Sequence, residues 1–391
     1  MNIAEIQDAL RDEGLDGWLF FDHHKRDPLA YRVLQLETRQ QPTRRWYYLI
    51  PTTGEPRGLV HRIESTILDE LPGSKAPYSG WMEQQQALAQ LLSGCRKIAM
   101  QYSPKCAVPY VSMVDAGTIE LVKDLGIEVV SSDNLIQYFE ARWDQAKLES
   151  HLEAGRRVDA IRRAAFQRIG DALRSNQTIS EFDVKQFILN QFRENALFTD
   201  HGPIVGVNRN SSDPHFEPTD SNSSPIRSGD WVLIDMWAKL DRPGSVYYDI
   251  TWTGHCGASV PSDRENIFSV VREARDRAIG FVKKAVETGT PICGFQVDDV
   301  ARGYIRERGF GENFFHRTGH SIGEDVHGAG ANMDNLETHD TRRLIPWTCF
   351  SIEPGVYLPK FGVRSEVNVF IGDGAAQVTG EIQTHPVRIL G

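Results

Sequence analysis

The chain has 391 residues, 25% of them charged and 40% hydrophobic, with a formal net charge of -10. That length and composition suit a globular protein with two ordinary domains and full-sized cores, and exclude a disordered chain. The acidic balance, with no dense Lys/Arg tract, gives no electrostatic footprint for a nucleic-acid backbone or an anionic membrane, so neither is an expected partner.

The stretch Met1 to Leu10 spaces its apolar residues helically and carries acids where a signal peptide carries bases, so no export signal is expected. No apolar run approaches the roughly 18 residues of a membrane span. Cys95, Cys106, Cys256, Cys293 and Cys349 are odd in number and scattered, which fits reduced, buried thiols in a cytoplasmic protein. The first third alternates strand patterns (Gly17–Phe21, Trp46–Ile50, Arg57–Val60, Lys97–Met100, Ile127–Val130) with helical ones near Met82–Leu92 and Val111–Leu125. This predicts an α/β domain over residues 1–143. It holds no phosphate loop, ligand cluster or triad pattern, and His23, His24 and His61 are expected to be loop or surface histidines.

From residue 144 to 391 the pattern changes. Leu148, Leu152, Val158, Ile161, Ala165 and Leu173 predict a long helix, and Thr178-Ile179-Ser180-Glu181 opens a second as a capping box. A third opens at Ser262 and a fourth covers about Val297–Arg308. Between the second and third, Trp231–Ile234 and Val246–Asp249 flank an Arg242-Pro243-Gly244 turn signal, which predicts a β-hairpin. A turn centred on Arg242 sets Asp235 directly opposite Asp249, with Cβ atoms about 4.5–5.5 Å apart. Facing carboxylates weaken the pairing unless a shared proton or a bound cation offsets their repulsion.

Three later stretches can supply further ligands: His316-Arg317-Thr318-Gly319-His320-Ser321-Ile322-Gly323-Glu324-Asp325-Val326-His327, then Glu353-Pro354-Gly355-Val356-Tyr357, then Gly362-Val363-Arg364-Ser365-Glu366. A lone histidine or Glu-Pro-Gly is ordinarily structural. Together with the paired aspartates they give two Asp, two Glu and one His, a donor set suited to two adjacent divalent metals.

The order Asp…Asp…Gly-His-x-x-Gly…Glu-Pro-Gly…Arg-x-Glu resembles the pita-bread metallopeptidases, the family of methionine aminopeptidase, prolidase and Xaa-Pro aminopeptidase. The preceding domain resembles the N-terminal domain of the prolidase, Xaa-Pro aminopeptidase and creatinase branch. The resemblance implies an α/β N-terminal domain followed by an α+β pita-bread catalytic domain. Asp235, Asp249, His320, Glu353 and Glu366 fall on the family's metal-ligand positions, and Glu353 also on that of its proton shuttle. His215 and His327 match positions that contact the substrate or the transition state, where loss of one donor costs about 3–4 kcal/mol. His316 and Arg364 match positions shaping the substrate pocket, although an arginine there also serves to neutralise carboxylates.

The implied cofactors are two divalent ions, manganese first, with cobalt or zinc as alternatives. The implied activity is hydrolysis of the N-terminal bond of Xaa-Pro peptides through a metal-activated water, by a cytoplasmic homodimer. Two alternatives stay open: a metal-dependent hydrolase or lyase of a small metabolite, and a non-catalytic binding protein of the same fold. The chain also departs from the family. The Asp235–Asp249 loop is about three residues longer than usual, so a bulge is expected to offset the register. Gly328 and Val367 stand where relatives often have acids, and Trp347 where a small residue is usual, which bears on metal affinity and substrate choice. Asp241 is expected to be a turn residue, not a ligand.

Overall fold

The structure is a computed structural model and describes residues 1–37 and 42–391. The chain divides into two compact units, Met1–Glu140 and Ala141–Gly391. The first is built from β1 (Gly17–Asp22), β2 (Trp46–Pro51), β3 (Arg57–His61), β4 (Ser74–Tyr78), β5 (Lys97–Met100) and β6 (Glu128–Ser131), in the sheet order β4-β3-β2-β1-β5-β6. Its helices are α1 (Ile3–Asp12), α2 (Pro28–Leu34), α3 (Trp81–Leu91), α4 (Ala116–Lys123) and the single turn α5 (Asp133–Ile136). All five expected strands are present. The helix expected over Val111–Leu125 is shorter, because Asp115 caps it by accepting from Thr118 N. The added strand β4 is a mostly exposed parallel edge containing Pro77, a position where proline is tolerated because no neighbour needs its N–H.

The second unit contains α6 (Gln145–Arg174), α7 (Glu181–Glu194), α8 (Ser262–Glu287) and α9 (Gly294–Glu307). Its strands are β7 (Leu197–Phe198), β8 (Ile204–Val207), β9 (Trp231–Leu240), β10 (Tyr248–His255), β11 (Ser321–Ile322), β12 (Thr348–Ile352), β13 (Gly355–Leu358), β14 (Phe361–Arg364), β15 (Val367–Ile371), β16 (Ala376–Thr379) and β17 (Val387–Arg388). One sheet runs β17-β10-β9-β7, with β8 also on β9. A second runs β11-β12-β15-β16, and β13-β14 is a separate ribbon. Among the described residues no helix is long and apolar enough to cross a membrane.

Each main sheet has its own pair of helices. Val232, Ile234, Met236 and Ala238 on one face of β9 share a core with Ala154, Val158, Ile161, Ala165 and Ile169 of α6, whose spacing of three and four makes one helical stripe. On α8 and α9, Val271, Ala274, Ala278, Val297 and Ala301 share a second core with Ile352, Val363, Val367 and Val369. Leu152, expected on the buried stripe of α6, is 43% exposed. The cap of α7 also differs from expectation. Ser180 is the N-cap and pairs reciprocally with Asp183, three residues on, so the box begins two residues later than Thr178.

The β9–β10 hairpin forms with a continuous antiparallel ladder and no bulge. Its centre of symmetry falls at Pro243, not Arg242, so each partner shifts by two residues. Asp235 pairs with Thr251, and Asp249 with Trp237. A shift of two preserves the side-chain face, so the aspartates stand on the same face as diagonal neighbours. The extra residues lie in the loop 241–247, where Asp241 is exposed and donates its backbone N–H to Ala196 O.

Candidate metal centre

The site grows from the polar face of the hairpin. β10 is tied to the second sheet by Asn368 of β15, whose amide donates to Asp249 O at 2.8 Å and accepts from Asp249 N at 3.3 Å. Glu366 lies just ahead of β15, donates its N–H to Thr251 O at 3.2 Å and accepts from Thr251 Oγ1 at 2.8 Å. Two sheets with separate cores are thereby held together where the carboxylates are.

His320 and Glu353 enter from the second sheet. Gly319 precedes His320 because a Cβ there would lie 1.9 Å from Ser351 O, so only glycine permits this approach to β12. His320 N donates to Ser351 Oγ at 2.9 Å, and Glu353 N to Thr318 O at 2.7 Å. Thr318 in turn donates through its N–H and hydroxyl to Asp298, which is wholly buried on α9 and paired with Arg302. Arg302 also donates to Phe314 O and His316 O. One helix-borne ion pair therefore fixes the course of residues 314–318.

The electrostatics follow from this geometry. His320 Nδ1 lies 3.1 Å from Ser321 O, and a carbonyl only accepts, so Nδ1 carries the hydrogen and Nε2 the lone pair. That Nε2 stands 3.5 Å from Asp249 Oδ2 and 3.4 Å from Glu353 Oε1. Burial first, then the charges of His327 and Arg317, holds the imidazole pKa well below its usual range, so the ring is neutral. A lone pair and two carboxylates thus face one another. Asp235 Oδ1, Asp249 Oδ1 and Glu366 Oε1 are buried with no hydrogen-bond partner. Burial, then neighbouring acids, pushes the Asp249 and Glu366 pKa values far up, and burial pushes Glu353 to about 7. Donor atoms of Asp249, His320 and Glu366 lie within 4.8 Å of one another. Orphaned oxygens and an imidazole lone pair around one space fit a divalent cation.

Arg364 is enclosed by protein partners. It donates to Asp235 Oδ2 at 2.5 Å, Thr251 Oγ1 at 2.9 Å and Tyr357 Oη at 2.9 Å. His316 Nδ1 lies 2.7 Å from Arg317 O, so its Nε2 accepts from the Tyr357 hydroxyl at 2.7 Å. Burial, with the charge of Arg364 second, pushes the His316 pKa down to about 3. His327 stands edge-on to His320, with ring centroids 4.4 Å apart. His215 is exposed, its loop held by its own N–H on Asp213. Trp347 donates to Asp373 Oδ1 at 2.9 Å and sits edge-on to Phe370, while Val367 is buried in β15. Tyr357, Thr251 and Asn368 were not singled out from the sequence. Thr251 had a signal, since it shares a strand face with Asp249, and Tyr357 lay inside the Glu-Pro-Gly motif without a spacing rule to mark it.

Two helix-backed sheets joined at a cluster of buried acids and a neutral imidazole make a pita-bread fold. Residues 149–373 match the sequence profile of metallopeptidase family M24, and the chain belongs to that family. It is 31% identical over 215 residues to an Xaa-Pro dipeptidase of Lactobacillus helveticus, covering 54% of this chain and 52% of the relative. With an Xaa-Pro dipeptidase of Pyrococcus furiosus it is 33% identical over 176 residues, covering 44% and 45%. The chain thus spans about half the length of these curated relatives in the match. Dipeptidase PepE from Mycobacterium ulcerans shares the fold with a TM-score of 0.72 at 22% identity, covering 99% of this chain and 96% of that one. A prolidase from Thermococcus sibiricus does so with a TM-score of 0.67 at 23% identity, covering 99% and 98%.

Proposed function

We propose that this chain is a dinuclear-metal-dependent peptidase that hydrolyses the N-terminal bond of Xaa-Pro peptides. The observation that carries the reading is the His320 lone pair turned toward Asp249 and Glu353 beside three partnerless buried carboxylate oxygens. Asp235, Asp249, His320, Glu353 and Glu366 would hold the ions. Bound divalent ions supply Lewis acidity, polarising the scissile carbonyl and lowering the pKa of water.

The remaining chemistry belongs to the chain. Glu353, 15% exposed in its side chain, is the most open of the three acids ion-paired around His320 and Arg364, and so is the best placed to take a proton from water and return it to the leaving amine. His327 and His215 supply N–H donors to the carbonyl oxygen as charge develops on it. Arg364 holds Asp235 and is itself held by Tyr357, and this enclosure favours the carboxylate-neutralising role over direct substrate contact. The Xaa-Pro preference rests on the named relatives.

The test is metal content by elemental analysis, with hydrolysis of Xaa-Pro dipeptides and Xaa-Pro-Yaa tripeptides after adding and then chelating manganese or cobalt. The proposal expects metal uptake and chelator-sensitive cleavage of at least one substrate class. Metal uptake without cleavage sinks the peptidase reading in favour of a small-metabolite enzyme, and absence of divalent metal sinks both.

A further inference from the structure

The polar hairpin face carries Trp237 two residues on from Asp235, and the metal centre does not use it. Trp237 is the ladder partner of Asp249, so the two project from the same face with Cβ atoms about 4.5–5.5 Å apart. The indole is partly buried and packs against the cluster containing Tyr247, Ile322 and Phe370. Its Nε1 donates to Asp200 Oδ1 at 3.1 Å. Asp200 is itself fixed, accepting from His201 N at 3.0 Å and lying 3.1 Å from His201 Nδ1. The ring is therefore clamped at its edge by the β7–β8 connection and supported from behind, while part of it stays accessible.

The chemistry of the surroundings makes this ring unusual. Its ladder partner Asp249 belongs to a set of ionisable side chains, with Asp235, His320, Glu353 and Glu366, that are turned on one another. An apolar substrate side chain placed among them would displace water from charged groups and gain nothing in return. The clamped indole offers it a flat apolar surface with little ordering cost, because the ring is already held.

We propose that Trp237 is the specificity-determining residue of this site. The side chain of the peptide's N-terminal residue packs on its indole, so the substrates are peptides with an apolar N-terminal residue. Asp200 is a positioning residue that acts through the ring. The proposal rests on the peptidase reading and adds to it the class of N-terminal residue.

The experiment measures kcat and KM of the metal-loaded full chain on Gly-Pro and Leu-Pro for wild type, Trp237→Gly, Trp237→Phe and Asp200→Ala. Wild type is expected to favour Leu-Pro over Gly-Pro at least tenfold in kcat/KM. Trp237→Gly should bring that ratio to within about twofold, mainly through KM, because a packing contact is made equally in ground and transition states. Trp237→Phe should retain most of the preference, and Asp200→Ala should fall between. An unchanged ratio in Trp237→Gly, or an equal loss on both substrates in Trp237→Gly and Trp237→Phe, overturns the proposal. If wild type cleaves neither peptide, the peptidase reading has failed, and tryptophan emission titrated with leucine and with glycine decides this one alone. Leucine should shift the emission of wild type at concentrations at least tenfold below glycine, and not that of Trp237→Phe. A shift that persists in Trp237→Phe, or equal responses to the two amino acids, refutes it.

Discussion

Asp249 is costly to the chain that carries it. Its Oδ1 has no partner, its other oxygen faces an imidazole lone pair, and burial with the nearby acids pushes its pKa far up. In chelator-treated protein, Asp249→Asn preserves shape and spares the fold the cost of keeping a buried carboxyl protonated among other acids, so it should stabilise the fold by ~1–4 kcal/mol in urea unfolding. The same variant should lose metal and at least a hundredfold in kcat/KM. Retained wild-type turnover would refute the ligand assignment, and a destabilised metal-free protein would refute the electrostatic account. Tyr357 makes the opposite case. Its hydroxyl accepts from Arg364 and donates to His316 Nε2, two groups enclosed by protein. Tyr357→Phe leaves a buried donor and a buried acceptor unmatched, which should cost about 1–3 kcal/mol by the shift in urea midpoint. An unchanged midpoint would show that water reaches His316.

At the scale of elements, α6 is joined to the hairpin end and to β16 by one buried histidine. His151 Nδ1 lies 2.7 Å from Tyr247 O, so it donates there, and Nε2 lies 2.7 Å from Thr379 Oγ1, so it accepts there. Burial, opposed only by the bond to Tyr247, pushes its pKa down to about 4. Between pH 4 and 6.5 the unfolded chain takes up a proton that the folded chain refuses. Stability from this residue is therefore complete above about pH 6.5 and is lost as pH falls toward 4, on the order of 3 kcal/mol in all. Urea unfolding at pH 5 and 7.5 should show this slope in wild type and a flatter one in His151→Gln. Equal slopes would mean that His151 does not report the junction. The same junction shows what a sequence can convey. Alternation and turn residues made the hairpin and five strands of the first unit legible, because burial of one face writes itself into residue type. The quoted motifs also named the acids and the histidine that the fold brings together. The register was not legible, since it depends on how many residues the 241–247 loop absorbs, and an exposed loop leaves little pattern. Partners such as Asn368 and Tyr357 were hidden for a related reason: a polar residue in a strand looks the same whether it faces water or another sheet. β4 was hidden because an exposed edge with Pro77 lacks the alternation of a buried strand.

For the whole molecule, Asp27 in the first unit and His151 in the second are buried titrating groups that act on stability in opposite directions. In the first, Asp27 caps α2 by accepting from Ala30 N through Oδ1, while its Oδ2 is buried without a partner. Burial outweighs the bond from Ala30, and the nearby Asp22 adds to it, so the Asp27 pKa rises to about 7. Between about pH 4 and 7 the folded unit keeps a proton that the unfolded chain releases. Its contribution is therefore most favourable at low pH and is lost as pH climbs toward 7, on the order of 4 kcal/mol. His151, in the second unit, runs the other way over nearly the same range. A first unit that unfolds on its own should then be more protected near pH 5 than near pH 8, whereas in the second unit the buried acids Asp249, Glu353 and Glu366 oppose His151. Hydrogen exchange separates them, with amides of β2 reporting the first unit and those of β9 the second. Asp27→Asn should raise the protection of β2 at pH 8 and leave β9 as it was, because a neutral amide keeps the cap without the buried charge. Protection in β2 and β9 that moves together at every pH, in wild type and variant alike, would show that the chain unfolds as one cooperative body in which neither charge acts locally.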